Sequence, residues 1–334
     1  MTEGASRRGL LAGAAIGGAL AAPAALIQAA AAEEAVWAAE YWAEKGPVRL
    51  YLFRKRLGAP RPGEAAKPVL FLVHGSSNSA RPSFDLTVPG KGEYSLMNVF
   101  ARLGYDVWTM DHENYGRSSR TDSNSDIASG AADLAAAMPV VARETGAARL
   151  HMMGESSGAL RAAVFAAQDP ARVDRLVLTA FTYSVKDSPT LIERAKRLDA
   201  FRASNKRLRD RSMIRSIFTR DMPGTSDMAV AEALADAELV FGDQTPTGTY
   251  VDMTSKLPVV QPEAVKSPVL LIRGEHDGIA TMADLQDFFG RLPNGDKQFV
   301  SLSHAAHALH YGLNRAQFWH AVHAFLSMPP PVAA

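Results

Sequence analysis

Short apolar runs recur along this chain, and segments of helical character separate them. The first run, Pro68–Val73, is continuous and ends at a His-Gly pair, which is typical of a strand buried on both faces of a parallel sheet. Further strand runs follow at Tyr105–Met110, Leu150–Met153 and Val173–Thr179, with helix-compatible segments at Leu96–Leu103, Ile127–Glu144 and Ala159–Ala167. The alternating segment Val48–Arg54 predicts one more strand before them. This pattern predicts an α/β fold with a doubly wound, mostly parallel sheet and right-handed crossovers.

The alternation stops between residues 184 and 265, where helical patterns and loops replace core strands. It resumes in three segments, which are a strand at Pro268–Ile272, a last strand at Gln298–Leu302 and an amphipathic helix at Arg315–Ser327. The sequence therefore predicts a core built from residues 33–183 and 266–334, with an inserted helical cap at 184–265.

Charge is unevenly distributed within the predicted cap. The segment Leu191–Asp221 carries ten basic and four acidic residues, whereas Met222–Thr245 carries five acidic residues and no basic ones. The simpler interpretation is that these are the solvated faces of two amphipathic helices, which can pack as complementary partners. The alternative is that the basic segment attracts an anionic substrate.

A G-x-S-x-G sequence at residues 154–158 lies between a predicted strand and a predicted helix. The chain has to turn so tightly there that side chains at the flanking positions would clash, so glycine is needed at Gly154 and Gly158. Such a turn lifts Ser156 out of the sheet and exposes its hydroxyl. The helix that follows points its N-terminus at the same place, which leaves the amide of Ser157 available to a developing oxyanion.

A serine hydroxyl is a poor nucleophile near neutral pH, so it needs a base whose imidazole is oriented by a third group. Asp277 follows the predicted strand at Pro268–Ile272 and is a candidate for that orienting acid. The loop after the last strand carries three candidate bases, His304, His307 and His310, three residues apart. That spacing also suggests a metal site, but no carboxylate or cysteine pattern accompanies it, so no metal is expected.

Several of these motifs resemble those of the α/β-hydrolase superfamily, and the resemblance extends from about Arg49 to Leu326. The loop at residues 73–77 resembles the family's H-G-x loop, residues 111–118 resemble its D-x-x-G-x-G-x-S segment, and residues 273–277 resemble its acid turn. The chain order of serine, acid and histidine agrees as well. Asn114 departs from the pattern by replacing a glycine. Because asparagine tolerates left-handed backbone conformations, we expect the turn to survive.

The resemblance implies a role for each site residue. Ser156 would be the nucleophile, His307 the base and Asp277 the acid that orients it. His307 is preferred to its neighbours because the family has a small pair before its histidine and an apolar pair after it, as found here. The amides of Ser76 and Ser157 would form the oxyanion hole.

Two more residues are candidates for substrate binding. Glu155 occupies the variable position of the elbow, where a supporting hydrogen bond is expected. Tyr183 follows a predicted strand and would line the pocket at the entrance below the cap, although a core position fits the sequence equally well. His74 is expected to bond backbone within the oxyanion loop.

The implied function is hydrolysis of a carboxylic ester or lactone of a small to medium molecule, through an acyl-enzyme and without a cofactor. Serine at the elbow argues against the chemistry that uses an aspartate nucleophile on this fold. Hydrolysis of an amide or a carbon–carbon bond uses the same triad and stays open. A non-catalytic binding protein is the alternative from another class, and such proteins usually lack a triad member.

Composition and the N-terminus bear on partners and location. A net charge of +1 gives no global field that would attract nucleic acid or an anionic membrane, and the absence of cysteine excludes disulfides and thiolate metal sites. Residues 1–32 predict a cleaved export signal, since Arg7 and Arg8 precede an uncharged, alanine-rich stretch that resembles a twin-arginine signal. We therefore expect a periplasmic or secreted protein without a stable membrane span, whereas a retained anchor is the alternative. The oligomeric state stays open.

Overall fold

The computed structural model describes residues 35–329. The predicted export signal at residues 1–32 lies outside the described residues. The strands are β1 (Val36–Lys45), β2 (Val48–Leu57), β3 (Val69–Val73), β4 (Leu86–Thr87), β5 (Glu93–Tyr94), β6 (Asp106–Met110), β7 (Leu150–Glu155), β8 (Val173–Thr179), β9 (Lys206–Leu208), β10 (Gln244–Pro246), β11 (Val269–Gly274) and β12 (Lys297–Leu302). The helices are α1 (Ala80–Phe84), α2 (Leu96–Arg102), α3 (Ile127–Thr145), α4 (Ser157–Gln168), α5 (Pro189–Ala195), α6 (Leu198–Arg202), α7 (Arg211–Thr219), α8 (Met228–Leu239), α9 (Gly248–Ser255), α10 (Met282–Arg291) and α11 (Arg315–Leu326).

An eight-stranded sheet organises the molecule in the order β1-β2-β6-β3-β7-β8-β11-β12. The strands from β6 to β12 in that order pair in parallel, whereas β1 and β2 form an antiparallel edge. The predicted α/β fold with a mostly parallel sheet is therefore confirmed. Because the carboxyl ends of parallel strands meet at one edge, the loops after β3, β7, β11 and β12 lie on the same side of the sheet.

Both faces of the sheet are covered by helices, as the continuous apolar runs require. In β3, Val69, Phe71 and Val73 belong to a hydrophobic cluster that includes residues of α3, α4 and α10. Leu70 and Leu72 belong to a second cluster on the opposite face, which includes residues of α2 and α11. The period-two alternation of side chains thus divides one strand between two cores.

The edge strand β1 is not among the strands that the sequence predicts. Its residues mix alanine and glutamate, which favour helices, with valine, tryptophan and tyrosine, which favour strands, and exposed and more buried positions alternate from Ala38 to Lys45 as in a half-buried strand. The strand is specified instead by pairing with β2 through a tight turn in which Lys45 faces Val48 and Gly46 has φ of +57°. Pairing with a partner strand therefore decides the conformation here.

Between β8 and β11, in the segment for which the sequence predicts a cap, lie the helices α5 to α9 together with one feature that the sequence does not predict. Strands β9 and β10 pair in a small antiparallel sheet. The oppositely charged segments also pack as complementary partners, because Arg211 pairs with Glu232 and Asp236, and Arg215 pairs with Glu232. Within residues 35–329, no helix has the length and apolar character needed to cross a bilayer.

Candidate active site

The turn between β7 and α4 holds Ser156 in a strained backbone conformation, with φ of +55°. A Cβ atom at Gly154 would lie 2.4 Å from the carbonyl oxygen of Gly158, and one at Gly158 would lie 2.3 Å from that of Val73. Neither position can accept a side chain without movement of backbone. The two glycines therefore permit the tight turn, and the amide of Ser156 is fixed by a 2.9 Å hydrogen bond to Thr179 O.

Three side chains from three loops meet at this turn. His307 Nε2 lies 3.1 Å from Ser156 Oγ, and His307 Nδ1 lies 2.9 Å and 3.1 Å from the two carboxylate oxygens of Asp277. When Nδ1 donates to Asp277, Nε2 is left without a proton and can accept the one on the serine hydroxyl. The structure thus brings together the three residues that the sequence selects.

The environment of Asp277 keeps its carboxylate ionised at neutral pH. Burial alone would raise its pKa, but His307 and the amides of Ile279 and Ala280, which donate at 2.9 Å and 3.1 Å, lower the pKa of Asp277 to about 2. An ionised acid keeps the imidazole in one orientation and stabilises the positive charge that forms when His307 takes a proton.

The other two histidines of this loop do not reach Ser156. His304 is exposed, has φ of +51°, and its amide donates to Glu275 Oε2 at 2.9 Å. His310 is buried, and its Nε2 lies 3.0 Å from Ser83 O. Both therefore support the loop that presents His307.

The oxyanion loop after β3 packs against the elbow. A Cβ atom at Gly75 would lie 2.9 Å from Glu155 O, and the Ser76 hydroxyl lies 2.7 Å from those of both Ser157 and Thr249. Ser157 is the first residue of α4, where amides lack helical partners. The two residues proposed to supply oxyanion-hole amides are therefore held together by their own side chains.

His74 fixes the position of the loop after β3 through two hydrogen bonds to backbone atoms. Its Nε2 accepts the amide hydrogen of His112 at 3.1 Å, so its Nδ1 carries the proton and donates to Gly75 O at 2.9 Å. Burial, followed by the nearby His112 and Arg161, holds the pKa of His74 well below its usual range. A neutral His74 with one defined tautomer follows, in agreement with the backbone-bonding role expected for it.

The turn that contains Asn114 forms although asparagine replaces the glycine of the family pattern. The residue has φ of +70°, and its side-chain amide donates to Ser123 O at 2.7 Å while its side-chain oxygen accepts from the Thr121 amide at 2.7 Å. Asparagine thus replaces glycine by adopting the left-handed conformation and adding local hydrogen bonds.

Ser156 and His307 open into a cavity of about 250 Å³ between the sheet and the cap. Glu155 lines it, and its Oε1 lies 3.5 Å from His310 Nδ1. A second cavity, of about 680 Å³, adjoins the first and shares several cap residues with it. The first cavity is of a size that suits a small molecule.

Tyr183 lies elsewhere, so its assignment to the pocket wall needs correction. It packs against Phe288 in the hydrophobic core, and its hydroxyl accepts from Arg291 Nη1 at 2.7 Å. Its backbone amide is held by the buried carboxylate of Asp284. A ring this size gains more from core packing than from a rim position, and the core alternative therefore describes it.

Sequence reasoning missed the residues that line the cap side of the cavity. They are Arg194, Arg197, Arg207, Met213, Ser216, Ile217, Arg220 and Tyr250. The excess of basic residues was visible in the sequence, but which of the ten converge on the serine depends on how five short helices and a two-stranded sheet pack. Burial lowers the pKa of Arg194 to about 10, which leaves it charged at neutral pH.

Asp221, Asp277 and His307 offer ligand atoms within 4.8 Å of one another, and they are the one such group identified among the described residues. Both ring nitrogens of His307 already have hydrogen-bond partners in Ser156 and Asp277. Asp221 Oδ1 accepts from Thr190 Oγ1 at 3.2 Å and lies 3.4 Å from Arg220 Nε. Asp221 Oδ2 is buried and has no hydrogen-bond partner among the described residues, but because both nitrogens of His307 are engaged we assign the group no metal.

The sheet order, the elbow and the cap define an α/β-hydrolase. Residues 65–314, three quarters of the 334 in the chain, match the model of the family described as serine aminopeptidase, S33, and the protein therefore belongs to that family.

Comparison with individual proteins gives weaker and more varied similarity. A 2-hydroxy-6-oxononadienedioate/2-hydroxy-6-oxononatrienedioate hydrolase from Paraburkholderia phymatum is 31% identical over 121 residues, which cover only 34% of this chain and 36% of that protein. The crystal structure of an enol-lactonase from Burkholderia xenovorans LB400 matches with a TM-score of 0.61 and 18% identity, over 86% of this chain and 100% of that one. A 2-hydroxy-6-oxo-6-phenylhexa-2,4-dienoate hydrolase from Rhodococcus sp. strain RHA1 matches with a TM-score of 0.60 and 18% identity, over 88% and 100%. At these identities the two structures share the fold.

Proposed function

We propose that this α/β-hydrolase cleaves a carboxylic ester or lactone of a small to medium molecule through an acyl-enzyme. The observation that carries the proposal is the continuous hydrogen-bonded chain Ser156–His307–Asp277, which begins at the floor of the cavity of about 250 Å³. A nucleophile, a base and an orienting acid within hydrogen-bond distance are the arrangement that acyl transfer requires.

The reaction begins when Ser156 Oγ attacks the substrate carbonyl carbon while its proton passes to His307 Nε2. The carbonyl oxygen becomes an oxyanion, which the amides of Ser76 and Ser157 would bind. As the carbon–oxygen bond to the leaving group breaks, His307 returns the proton to that oxygen and leaves an acyl-enzyme. Water then gives its proton to His307 and attacks the ester carbon, which releases the acid and restores the serine hydroxyl.

Hydrolysis of a carbon–carbon bond is the second candidate, and the partial relative favours it. The name of that relative describes a hydroxy-oxo-diene-dioate without an ester or amide bond, so its hydrolysis breaks a carbon–carbon bond. The same serine, base and oxyanion hole can act on a ketone if the carbon leaving group is stabilised as a carbanion. The enol-lactonase among the structural matches supports the lactone candidate in the same indirect way.

Aminopeptidase activity, which the family description suggests, fits the cavity less well. An aminopeptidase acts at the end of a peptide that carries a cationic α-amino group. Among residues 35–329, four arginines line this cavity, whereas Glu155 is the one acidic residue in its wall. The cationic group would therefore meet repulsion from most of the charged wall.

A binding protein without turnover is disfavoured because the triad is complete and hydrogen-bonded. To test the proposal, we would follow product release from a panel of aryl esters, lactones, anilides and a hydroxy-oxo-dienoate, using the protein and its Ser156→Ala variant. Ester or lactone turnover that disappears in the variant supports the proposal. Turnover confined to the dienoate would favour the second candidate.

Equal rates in the two proteins would remove Ser156 as nucleophile. Labelling by a fluorophosphonate provides an independent measure, because the reagent requires an activated serine but no particular substrate. Lack of labelling together with lack of turnover would contradict the serine hydrolase proposal. Asn78→Ala, a change of another residue in the cavity wall, is a matched control that should retain labelling.

A further inference from the structure

Four arginines from four parts of the cap converge on the cavity that contains Ser156. Arg194 lies on α5, Arg197 precedes α6, Arg207 lies on β9 and Arg220 follows α7. The same four residues also line the adjoining cavity of about 680 Å³. Glu193 and Asp221 also line the outer cavity, so the four arginines give the two cavities an excess of positive charge, and we call these four residues the arginine wall.

Carboxylates neutralise only part of the charge of the arginine wall. Within residues 35–329, Arg220 alone among the four forms an ion pair, with Asp221 at 3.4 Å. Other arginines of the cap behave differently, since Arg209 pairs with Glu238, and Arg211 pairs with Glu232 and Asp236. Carboxylate partners are thus present in the cap, yet Arg194, Arg197 and Arg207 form no ion pair among the described residues.

An aromatic ring takes the place of a carboxylate for two of these arginines. The guanidinium carbons of Arg194 and Arg207 lie 5.0 Å and 4.7 Å from the centre of the Tyr250 ring. A ring face holds a guanidinium in position but does not cancel its charge, so its N–H groups stay available to an oxyanion. The Tyr250 hydroxyl contacts Ser77 Oγ in the oxyanion loop, which ties this arrangement to the catalytic side.

Arg220 has hydrogen-bonding capacity that its ion pair with Asp221 does not use. Its Nη2 atom is buried and has no hydrogen-bond partner among the described residues. A buried guanidinium nitrogen without an acceptor is costly, and a bound anion would supply that acceptor.

We propose that the substrate carries a carboxylate apart from the bond that is hydrolysed, and that the arginine wall binds this carboxylate. The inference rests on the proposed function for the identity of the reacting bond, but the anion site itself is independent of turnover. Guanidinium groups bind carboxylates in a bidentate manner, which orients the ligand as well as attracting it. The positive charge of the arginine wall also increases the local concentration of such an anion at the mouth of the cavity.

Two esters of equal size test the inference in turnover. They are the mono-4-nitrophenyl ester of adipic acid, which keeps one free carboxylate, and the same ester of adipamic acid, whose terminal amide is neutral. We expect kcat/KM to favour the acid by about tenfold or more, as for a charged hydrogen bond worth 1.4 kcal/mol or above. Arg194→Gln and Arg197→Gln should remove most of this preference. Arg197 is exposed, so its variant should fold normally.

Arg202→Gln is the matched control, because Arg202 is an exposed cap arginine that lines neither cavity. It should keep the preference for the acid. A neutral ester that is hydrolysed as well as the acid, or an equal loss in the Arg202→Gln control, would overturn the inference while leaving the serine hydrolase proposal intact.

Binding separates the two proposals when no ester is turned over. Titration calorimetry would measure adipate and adipamide binding to the Ser156→Ala protein, with and without Arg194→Gln or Arg197→Gln. Adipate binding that weakens about tenfold in the arginine variants, with adipamide at least tenfold weaker, supports the anion site even if hydrolysis fails. Adipate that binds no better than adipamide would refute it.

Discussion

The buried ion pair between Arg209 and Glu238 joins the cap to the oxyanion loop, and we expect its disruption to destabilise the protein strongly. Arg209 Nη1 donates to Glu238 Oε2 at 2.6 Å and to Ser77 O at 2.7 Å, while Nη2 donates to Glu238 O and Gly242 O. The other carboxylate oxygen of Glu238 accepts from the Ser79 hydroxyl at 2.7 Å. The Arg209 guanidinium therefore connects the loop after β3, helix α8 and the turn that follows α8.

Arg209→Met is the perturbation that removes the positive charge and these donors. It leaves the carboxyl of Glu238, which is fully buried, without its ionic partner. Breaking a buried pair in this way typically costs about 3–5 kcal/mol of unfolding free energy. Burial raises the pKa of Glu238 to about 7 even beside Arg209, so an ionised Glu238 is already costly in the native state.

The pH dependence follows from the sign of that shift. A carboxyl whose folded-state pKa lies above its usual value of 4.5 contributes stability below pH 4.5 and loses it as the pH rises through the folded-state pKa. Removal of Arg209 raises the folded-state pKa further, because the guanidinium lowers it. We therefore expect the deficit of Arg209→Met to be larger at pH 8 than at pH 5.

Urea unfolding followed by tryptophan fluorescence measures these differences. Arg211→Met serves as the control, since the Arg211 side chain is 39% exposed and solvent screens its pairs with Glu232 and Asp236, so it should cost far less than Arg209→Met. The double variant Arg209→Met/Glu238→Leu should recover much of the stability, because it removes both charges together. A cost for Arg209→Met no greater than that of Arg211→Met would refute the reasoning, as would a double variant less stable than Arg209→Met.

Three further predictions concern the acid, the elbow and the N-terminus. Asp277→Asn should lower kcat by about 10³- to 10⁴-fold with little change in KM, measured on the best ester of the panel, because the imidazole loses its fixed tautomer; a loss below tenfold would contradict this. In the wild type, the stabilising contribution of the Asp277 carboxylate is present above pH 3.8 and should be lost as the pH falls through about 2. Acid unfolding of the wild type and of Asp277→Asn would measure this difference in pH dependence. Gly158→Ala should lower the free energy of unfolding in urea by about 3 kcal/mol, because its Cβ would meet backbone at 2.3 Å. The control Gly290→Ala, with open space around the new Cβ, should be neutral or stabilising. We also propose that residues 1–32 direct export, and replacement of both Arg7 and Arg8 by lysine should retain the protein in the cytoplasm on cell fractionation; unchanged export would argue against the twin-arginine route.

The sequence was informative where the chemistry depends on local geometry. Gly154 and Gly158 are dictated by the backbone contacts of the elbow, and the strand before them is a short apolar run that only a doubly covered sheet can bury. The same reasoning placed Asp277 and His307 after later strands, and parallel strands deliver such loops to one edge. Local spacing did not distinguish His307 from His304 and His310, and that choice came from the resemblance to a family.

The strand β1 and the position of Tyr183 show where sequence reasoning failed. The residues of β1 have a divided local preference, because alanine and glutamate favour helix whereas valine, tryptophan and tyrosine favour strand. Pairing with β2 decides for the strand, and such cross-strand contacts depend on a partner rather than on the segment itself. Tyr183 was placed by its distance along the chain from a strand. Its core position depends on Phe288 and Asp284, which are more than a hundred residues away.

The amino-acid sequence by itself determined the α/β architecture, the tight turn at Ser156 and the excess of positive charge in the segment 191–221, because these follow from hydrophobic periodicity, backbone sterics and composition. Only the tertiary structure decided that Arg194, Arg197, Arg207 and Arg220 face the cavity while Arg209, Arg211 and Arg215 pair with carboxylates. All seven belong to one basic segment, and composition is the same whichever way each side chain points. Their roles differ because each cap element is too short to specify its own orientation. The packing of these elements against one another therefore decides which side chains meet a carboxylate and which meet the cavity.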